Sequence, residues 1–342
     1  MVPRWRATLT CLTLLTFLVT PADAGTHDAY AECYGGWATT DSAVLLGRAH
    51  KGEAPSGREH HHRITKLAAT AKDFMGRELE AARVHVTDLA SGHEIDAAAD
   101  AEGFFDVRVP GPFPPGKRTF RIDVSASAGK YQAPPLDIEL EVFDAKATGV
   151  LVVADLDDTL TETGVTGGKL ALLWGTATRG AGDMKPYPAA AATLRALHAA
   201  GAPVVYLSAS PIELAPRLHR FLHDAGFPDG PLLLRYYRRD GISDPGRYKR
   251  SRVERLLNDF GAREIILVGD NGEQDPELFQ SLAKDTGRIA AAYVRTTLPG
   301  NASDARYHGL LLFSHFRDVA RDLARRGWIR WWLAQRIYLS EK

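Results

Sequence analysis

The chain is 342 residues long, which is room for two domains of ordinary size with a core apiece. Hydrophobic residues make up 45% and charged residues 25%, a balance that excludes collagen-like, low-complexity and wholly disordered chains. Lys plus Arg number 42 and Asp plus Glu 42, so no overall field favours nucleic acid as a partner and any charge logic is local.

Arg4 and Arg6 precede an apolar run from Ala7 to Val19 that is too short to span a bilayer, and Pro21-Ala22-Asp23-Ala24 offers a small-residue cleavage site before Gly25. Residues 1–24 therefore read as a secretory signal peptide, and the mature protein is expected in a secreted or periplasmic compartment. Its removal takes Arg4, Arg6 and Asp23, leaving 40 basic and 41 acidic residues, so the mature chain stays near neutral. Cys11 goes with it, and Cys33 alone cannot form an intramolecular disulfide. The tract His60-His61-His62 has no partner ligands at a fixed interval and reads as a solvated loop.

Residues 25–145 read as a small antiparallel β-sandwich. The runs at 82–87, 104–109, 119–124 and 136–142 are strand-like, and the last three alternate apolar and polar residues. Turn formers stand between them, among them Ser91-Gly92, Glu102-Gly103 and Pro114-Pro115-Gly116.

From residue 146 the texture changes. Five short apolar runs, at 150–154, 204–207, 232–234, 265–268 and 289–294, alternate with amphipathic stretches at 189–200, 211–225, 250–260 and 276–284. Near-continuous apolar strands spaced by helices indicate a parallel sheet covered on both faces, a Rossmann-like doubly wound α/β domain over 146–327. Ligands of such sheets bind beyond the carboxyl ends of the strands. Three runs deliver polar groups there: 150–154 leads into Asp155-Leu156-Asp157-Asp158-Thr159, 204–207 into Ser208-Ala209-Ser210, and 265–268 into Gly269-Asp270 and, five residues on, Asp275.

These residue types suit phosphoryl transfer. A carboxylate at the strand end, Asp155, can attack phosphorus and divide one hard displacement into two easier ones. Asp157, facing the same crevice, can protonate the leaving alkoxide and later deprotonate water. A phosphate dianion beside carboxylates needs a divalent cation, and oxygen ligands suit magnesium; Asp155, Asp157, Asp270 and Asp275 are the candidate ligands. Asp275, before Pro276, also has the look of a helix N-cap. The transferring oxygens need a hydroxyl and a cation. Ser208 fills the first role, with Ser210 as its competitor, although Ser210-Pro211 also reads as a cap followed by proline. Lys249, just ahead of a helix starting near Arg250, fills the second, with Lys169, Lys185 and Arg252 as rivals.

Asp155-Leu156-Asp157-Asp158-Thr159, Ser208, Lys249 and Gly269-Asp270 with Asp275 resemble the four motifs of haloacid-dehalogenase-type (HAD-like) phosphatases. Three longer stretches, 154–165 (ADLDDTLTETGV), 206–214 (YLSASPIEL) and 269–277 (GDNGEQDPE), together with Lys185-Pro186-Tyr187-Pro188, are similar to the catalytic domain of the actin-patch phosphatidate phosphatase family. The resemblance covers about 146–327. It implies that Asp155 is the nucleophile, Asp157 the acid/base, Asp270 a magnesium ligand, and Ser208 and Lys249 the phosphate-binding pair; Thr159, in the first of these motifs, is a further candidate for substrate binding. It also implies hydrolysis of phosphatidate, or a related lipid phosphate, to diacylglycerol and phosphate. The N-terminal half and the export signal depart from the family and bear on the substrate rather than on the chemistry.

Residues 160–184 hold six glycines and the apolar patch Leu170, Leu172, Leu173 and Trp174; the segment reads either as a lid that grips an acyl chain or as a helical hairpin packing its own leucines. The segment 328–342 reads as an aromatic and basic C-terminal helix, and 306–342 carries a net charge of +5. That helix either docks on its own domain or meets an anionic membrane surface. Nothing in the sequence marks a protein partner. Two other functions stay open: a phosphatase of the same mechanism acting on a soluble ester, and a surface-binding protein whose phosphatase domain is idle.

Overall fold

A computed structural model describes residues 27–53, 78–126, 129–144, 149–162, 184–241, 243–261 and 264–340. The leader at 1–24, the histidine tract at 60–62 and most of the expected lid, 163–183 with Lys169, lie outside the described residues.

The first half builds one eight-stranded sheet from β1 (His27–Thr39), β2 (Ser42–Lys51), β3 (Arg83–Asp88), β4 (Glu94–Ala98), β5 (Phe104–Pro110), β6 (Gly116–Ala126), β7 (Tyr131–Gln132) and β8 (Leu136–Phe143). The alternating runs form antiparallel strands, as expected: in β5, Phe105, Val107 and Val109 point inward while Asp106 and Arg108 face out. The expected sandwich differs in its joints. Strand β1 pairs in parallel with both β7 and β8, so the two halves form a single continuous sheet around one core.

Strands β1 and β2 carry no clean alternation because both of their faces are covered. Leu45 and Ala43 point into the core of the first sheet, whereas Trp37 and Val44 pack with Leu151, Val153, Val205 and Leu207 of the second. Across the same boundary Arg255 pairs with Asp106, and Arg108 with Asp259. Each half keeps a core largely its own, and a further apolar cluster is shared between the two sheets.

The second sheet is six-stranded and parallel, in the order β13 (Leu232–Arg235), β12 (Val204–Pro211), β9 (Val150–Ala154), β14 (Glu264–Asp270), β15 (Ile289–Arg295), β16 (Leu311–Phe313). A small hairpin of β10 (Thr161–Glu162) and β11 (Lys185–Pro186) follows β9. Helices α1 (Ala190–Ala199), α2 (Ala215–Asp224), α6 (Phe316–Arg325) and α7 (Trp331–Ser340) cover one face. On the other lie α4 (Pro245–Asp259) and α5 (Asp275–Thr286) beside the first sheet; α3 (Tyr237–Asp240) is a single turn. Residues of β9 alternate between the faces, Val152 and Ala154 to one and Leu151 and Val153 to the other, which explains its unbroken apolar run.

The chain builds outward from β9 through β12 to β13, then returns to β9's other side with β14. That reversal leaves a crevice above β9, the place where such sheets bind ligands. Neighbouring strands stand about 4.8 Å apart, so the tips of β12, β9 and β14 fall within reach of one another's side chains.

Candidate active site

Asp155 is the first residue beyond β9, and its amide still donates to the Val268 carbonyl of β14 at 2.9 Å. The chain then curls around the Leu156 carbonyl, which accepts the amides of Thr159, Leu160 and Thr161 at 3.3, 2.9 and 3.2 Å. Leu156 and Leu160 are fully buried and anchor that curl in the core. This turn carries Asp157 and Thr159 over the crevice.

Three carboxylates meet there. Asp155, Asp270 and Asp275 are all buried, and each offers an oxygen within 4.8 Å of the others. Lys249 reaches in from α4, its Nζ lying 2.9 Å from Asp155 Oδ1, 2.7 Å from Asp275 Oδ1 and 3.5 Å from Glu273 Oε2. The Thr159 hydroxyl donates toward Asp155 Oδ2 at 3.2 Å and Asp270 Oδ2 at 3.4 Å. Asp270 Oδ1 accepts the Gly272 amide at 2.5 Å.

Asp157 stands apart from this cluster. Its Oδ2 accepts hydrogen bonds from Ser208 Oγ at 2.9 Å and Ser210 Oγ at 2.7 Å, both from β12. The two serines thus share one acceptor instead of competing for a role. Ser210 is not a helix cap, because β12 runs on through Pro211.

Electrostatics follow from burial and sign. Burial pushes the Asp155 carboxyl well above the usual range; Lys249 opposes that shift, and Asp275 and Asp270 add to it. Asp270 is pushed up to about 7, by burial and then by Asp275. Asp275 is raised by burial against the pull of Lys249, and Asp157 by burial against its serine donors. For Lys249 burial works against the charge, yet Asp155, Asp275, Glu273 and Asp270 together hold the ammonium well above its ordinary value. Three buried carboxyl groups, each with its pKa raised by burial, beside a single ammonium offer oxygen donors alone, the donor set that hard divalent cations take.

Several sequence expectations change in detail. Asp275 is the first residue of α5 and makes no capping bond; its Oδ2 accepts the Asp270 amide at 3.4 Å. Lys249 lies inside α4, which starts earlier than expected because Asp244 caps it by accepting the Arg247 amide at 2.8 Å and Pro245 opens it. Arg252 turns instead to Asp240, and Lys185 is exposed on β11. Asp157, expected among the metal ligands, keeps its carboxylate on the serines.

Asn271 was missed. Its Oδ1 accepts the amides of Thr297 and Leu298 at 2.8 and 2.9 Å, and its Nδ2 donates to the Leu298 carbonyl, so it ties the Asp270 loop to the chain beyond β15. Only its place after a strand end marks it in the sequence.

The C-terminal helix docks on its own domain by one side and leaves two tryptophans exposed on the other. Ala334 and Ile337 dock on the domain, whereas Trp331 and Trp332 remain 58% and 55% exposed. They sit far from the crevice. Helix α6 descends from the carboxyl end of β16, and Arg326 just past it reaches the Ala290 carbonyl at the start of β15. Helix α7 climbs back, bringing Tyr338 beside Arg317 and Arg321. The two exposed tryptophans therefore lie at the amino end of the sheet, opposite Asp155. Among the described residues no helix is long and apolar enough to cross a membrane.

Residues 150–296 match the family described as phosphatidate phosphatase APP1, catalytic domain. The matched stretch lies in the α/β unit, which is similar to that catalytic domain. Phosphatidate phosphatase APP1 of Saccharomyces cerevisiae is 27% identical over 204 residues, 57% of this chain and 34% of that protein. An uncharacterized protein of Schizosaccharomyces pombe is 26% identical over 253 residues, 69% of this chain and 38% of its own length. The chain thus spans little more than a third of these relatives. A HAD family hydrolase from Deinococcus radiodurans, solved with bound phosphate and sodium, aligns over 53% of this chain and 97% of its own with a TM-score of 0.38 and 16% identity.

Proposed function

We propose that the protein is a magnesium-dependent phosphatase that hydrolyses phosphatidate, or a related lipid phosphate, to diacylglycerol and inorganic phosphate through an aspartyl phosphate on Asp155. The observation that carries this reading is the division of labour in the crevice: Asp155 lies in a buried acid cluster with Lys249, while Asp157, two residues on, is held apart by two hydroxyls.

A magnesium ion there would be held by Asp155, Asp270 and Asp275, and would supply the positive charge that lets a phosphate approach these acids. Lys249, between Asp155 and Asp275, adds a fixed charge for the phosphoryl oxygens. Ser208 at the tip of β12 and Thr159 between the acids supply hydroxyls beside the same space.

The Asp155 carboxylate attacks phosphorus, and the bond from phosphorus to the glycerol oxygen breaks. Asp157 gives its proton to that oxygen, and diacylglycerol leaves. Asp157 then takes a proton from water as the water oxygen attacks phosphorus. The Asp155–phosphate bond breaks, freeing phosphate and the carboxylate. The leader-like segment at 1–24 supports export and, with it, a secreted or periplasmic setting for the reaction.

The test is a substrate panel on purified mature protein, with and without magnesium, combined with acid quench during turnover. Phosphatidate in mixed micelles should be the preferred substrate, chelation should abolish activity, and phosphate should be trapped on Asp155 and absent from Asp155→Asn. Faster turnover of water-soluble esters would move the substrate class while keeping the chemistry. Full activity of Asp155→Asn would overturn the mechanism.

A further inference from the structure

Arg295 ends β15, one strand out from the tip that carries Asp270. Its backbone carbonyl accepts the Asn271 amide at 3.0 Å. Its side chain turns the other way, toward the curl after β9, where Nη1 donates to the Asp158 carbonyl at 3.3 Å. The guanidinium lies over Tyr187, with its central carbon 3.2 Å from the ring centre. Tyr187 in turn donates its amide to the Leu160 carbonyl at 2.9 Å, at the far end of the same curl. Through its carbonyl and its side chain together, this one residue joins the loop of Asp270 to the loop of Asp155 and Asp157 and to the base of the β10–β11 hairpin. It does so although its own Nε is buried without a hydrogen-bond partner, an arrangement that good internal hydrogen bonding alone does not explain.

Asp158 gives that contact its consequence. Its φ is +53°, a left-handed conformation that aspartate adopts more readily than most residues but that still costs energy, so that contacts to its backbone matter. The orientation of its carbonyl sets the direction in which the backbone passes from Asp157 to Thr159. The carboxylate of Asp157 is fixed by Ser208 and Ser210; its backbone is fixed by whatever holds Asp158.

We propose that Arg295, stacked on Tyr187, is a positioning residue for Asp157, and that its grip on the Asp158 carbonyl keeps the acid aimed at the leaving oxygen. This rests on the reading of Asp157 as the general acid. The role has a signature that general loosening of the fold lacks. An alkoxide such as that of diacylglycerol departs only with a proton, whereas p-nitrophenolate departs without one.

The experiment compares kcat/KM on dioctanoyl phosphatidate and on p-nitrophenyl phosphate, because that ratio reports the step in which the leaving group departs. Arg295→Ala should lower the first on the order of 10²-fold and the second by less than about 10-fold, with added guanidinium restoring the balance. Arg295→Lys keeps charge and a donor but not the planar guanidinium over the ring, and should fall between; it serves as well if the alanine variant folds poorly. Tyr187→Leu should shift the ratio in the same direction. Equal losses on both substrates, or none, while Asp157→Asn discriminates strongly, would overturn the inference and leave the proposed function standing. Absence of discrimination in Asp157→Asn itself would remove the acid assignment and this inference with it.

Discussion

Replacing Gly269 with alanine would place a Cβ 2.3 Å from Asp275 Oδ2, 2.9 Å from its Cγ and 2.8 Å from Phe279 Cζ. Ordinary contact starts near 3.4 Å, so the carboxylate must retreat by about 1 Å. Phe279 is packed in the core and cannot give way freely; overpacking of this kind costs about 1–3 kcal/mol. The larger effect is on chemistry. Asp275 Oδ1 lies 2.7 Å from Lys249 Nζ and its Oδ2 accepts the Asp270 amide at 3.4 Å, and a retreat of that size breaks this pairing. Misplacement by about 1 Å in an active site costs on the order of 10²-fold in rate. The assay is kcat/KM on phosphatidate, with a magnesium titration followed by thermal unfolding. Gly269→Ala should lose on the order of 10²-fold activity, melt a few degrees lower and need more magnesium to reach half its stabilisation. Gly300→Ala is the control, because its Cβ would stand 3.4 Å from Tyr307 Oη. Wild-type turnover with an unmoved magnesium midpoint in Gly269→Ala would refute the argument.

Lys249→Met leaves Asp155 and Asp275 without the ammonium 2.9 and 2.7 Å away; unfolding in chelator should show a loss of about 3–5 kcal/mol, partly recovered with magnesium, and an unchanged melting temperature would contradict the pairing. Trp331→Ala with Trp332→Ala should leave kcat/KM on micellar phosphatidate unchanged, because the pair lies at the sheet end opposite Asp155; a large loss would mean that these rings meet the substrate. Burial pushes the Cys33 thiol up to about 11 from an ordinary 9.0, so a thiol reagent should react far more slowly with native than with unfolded protein at neutral pH. The proton is held more tightly in the folded state, and the associated stability, present below pH 9.0, should fall as pH rises toward about 11; Cys33→Ala should lack that dependence.

The catalytic strands were legible because burial on both faces writes an unbroken apolar run, and because polar residues immediately after such a run must sit at the sheet's edge. The same rule points to Arg295, which directly follows the run 289–294, but an arginine at a strand end has no meaning until its side chain is seen to lie on Tyr187 and Asp158. Strands β1 and β2 were not legible. Their two faces serve two different cores, so Trp37, Val44 and Leu45 neither alternate cleanly nor form an isolated apolar run. Ser210 read as a cap because Ser-Pro is a local signal for a helix start, and a tertiary hydrogen bond to Asp157 overrode it.

Local sequence by itself determined which residues can carry the chemistry and on which strand tips they stand, since strand periodicity and loop position are properties of a few consecutive residues. The three-dimensional arrangement decided which acids cluster, that the two serines share Asp157, that Lys249 reaches Asp155 from within a helix, and that the exposed tryptophans face away from the crevice. Those outcomes depend on strand order and on contacts between residues as far apart as Asp155 and Asp275, and no short-range pattern encodes such distances.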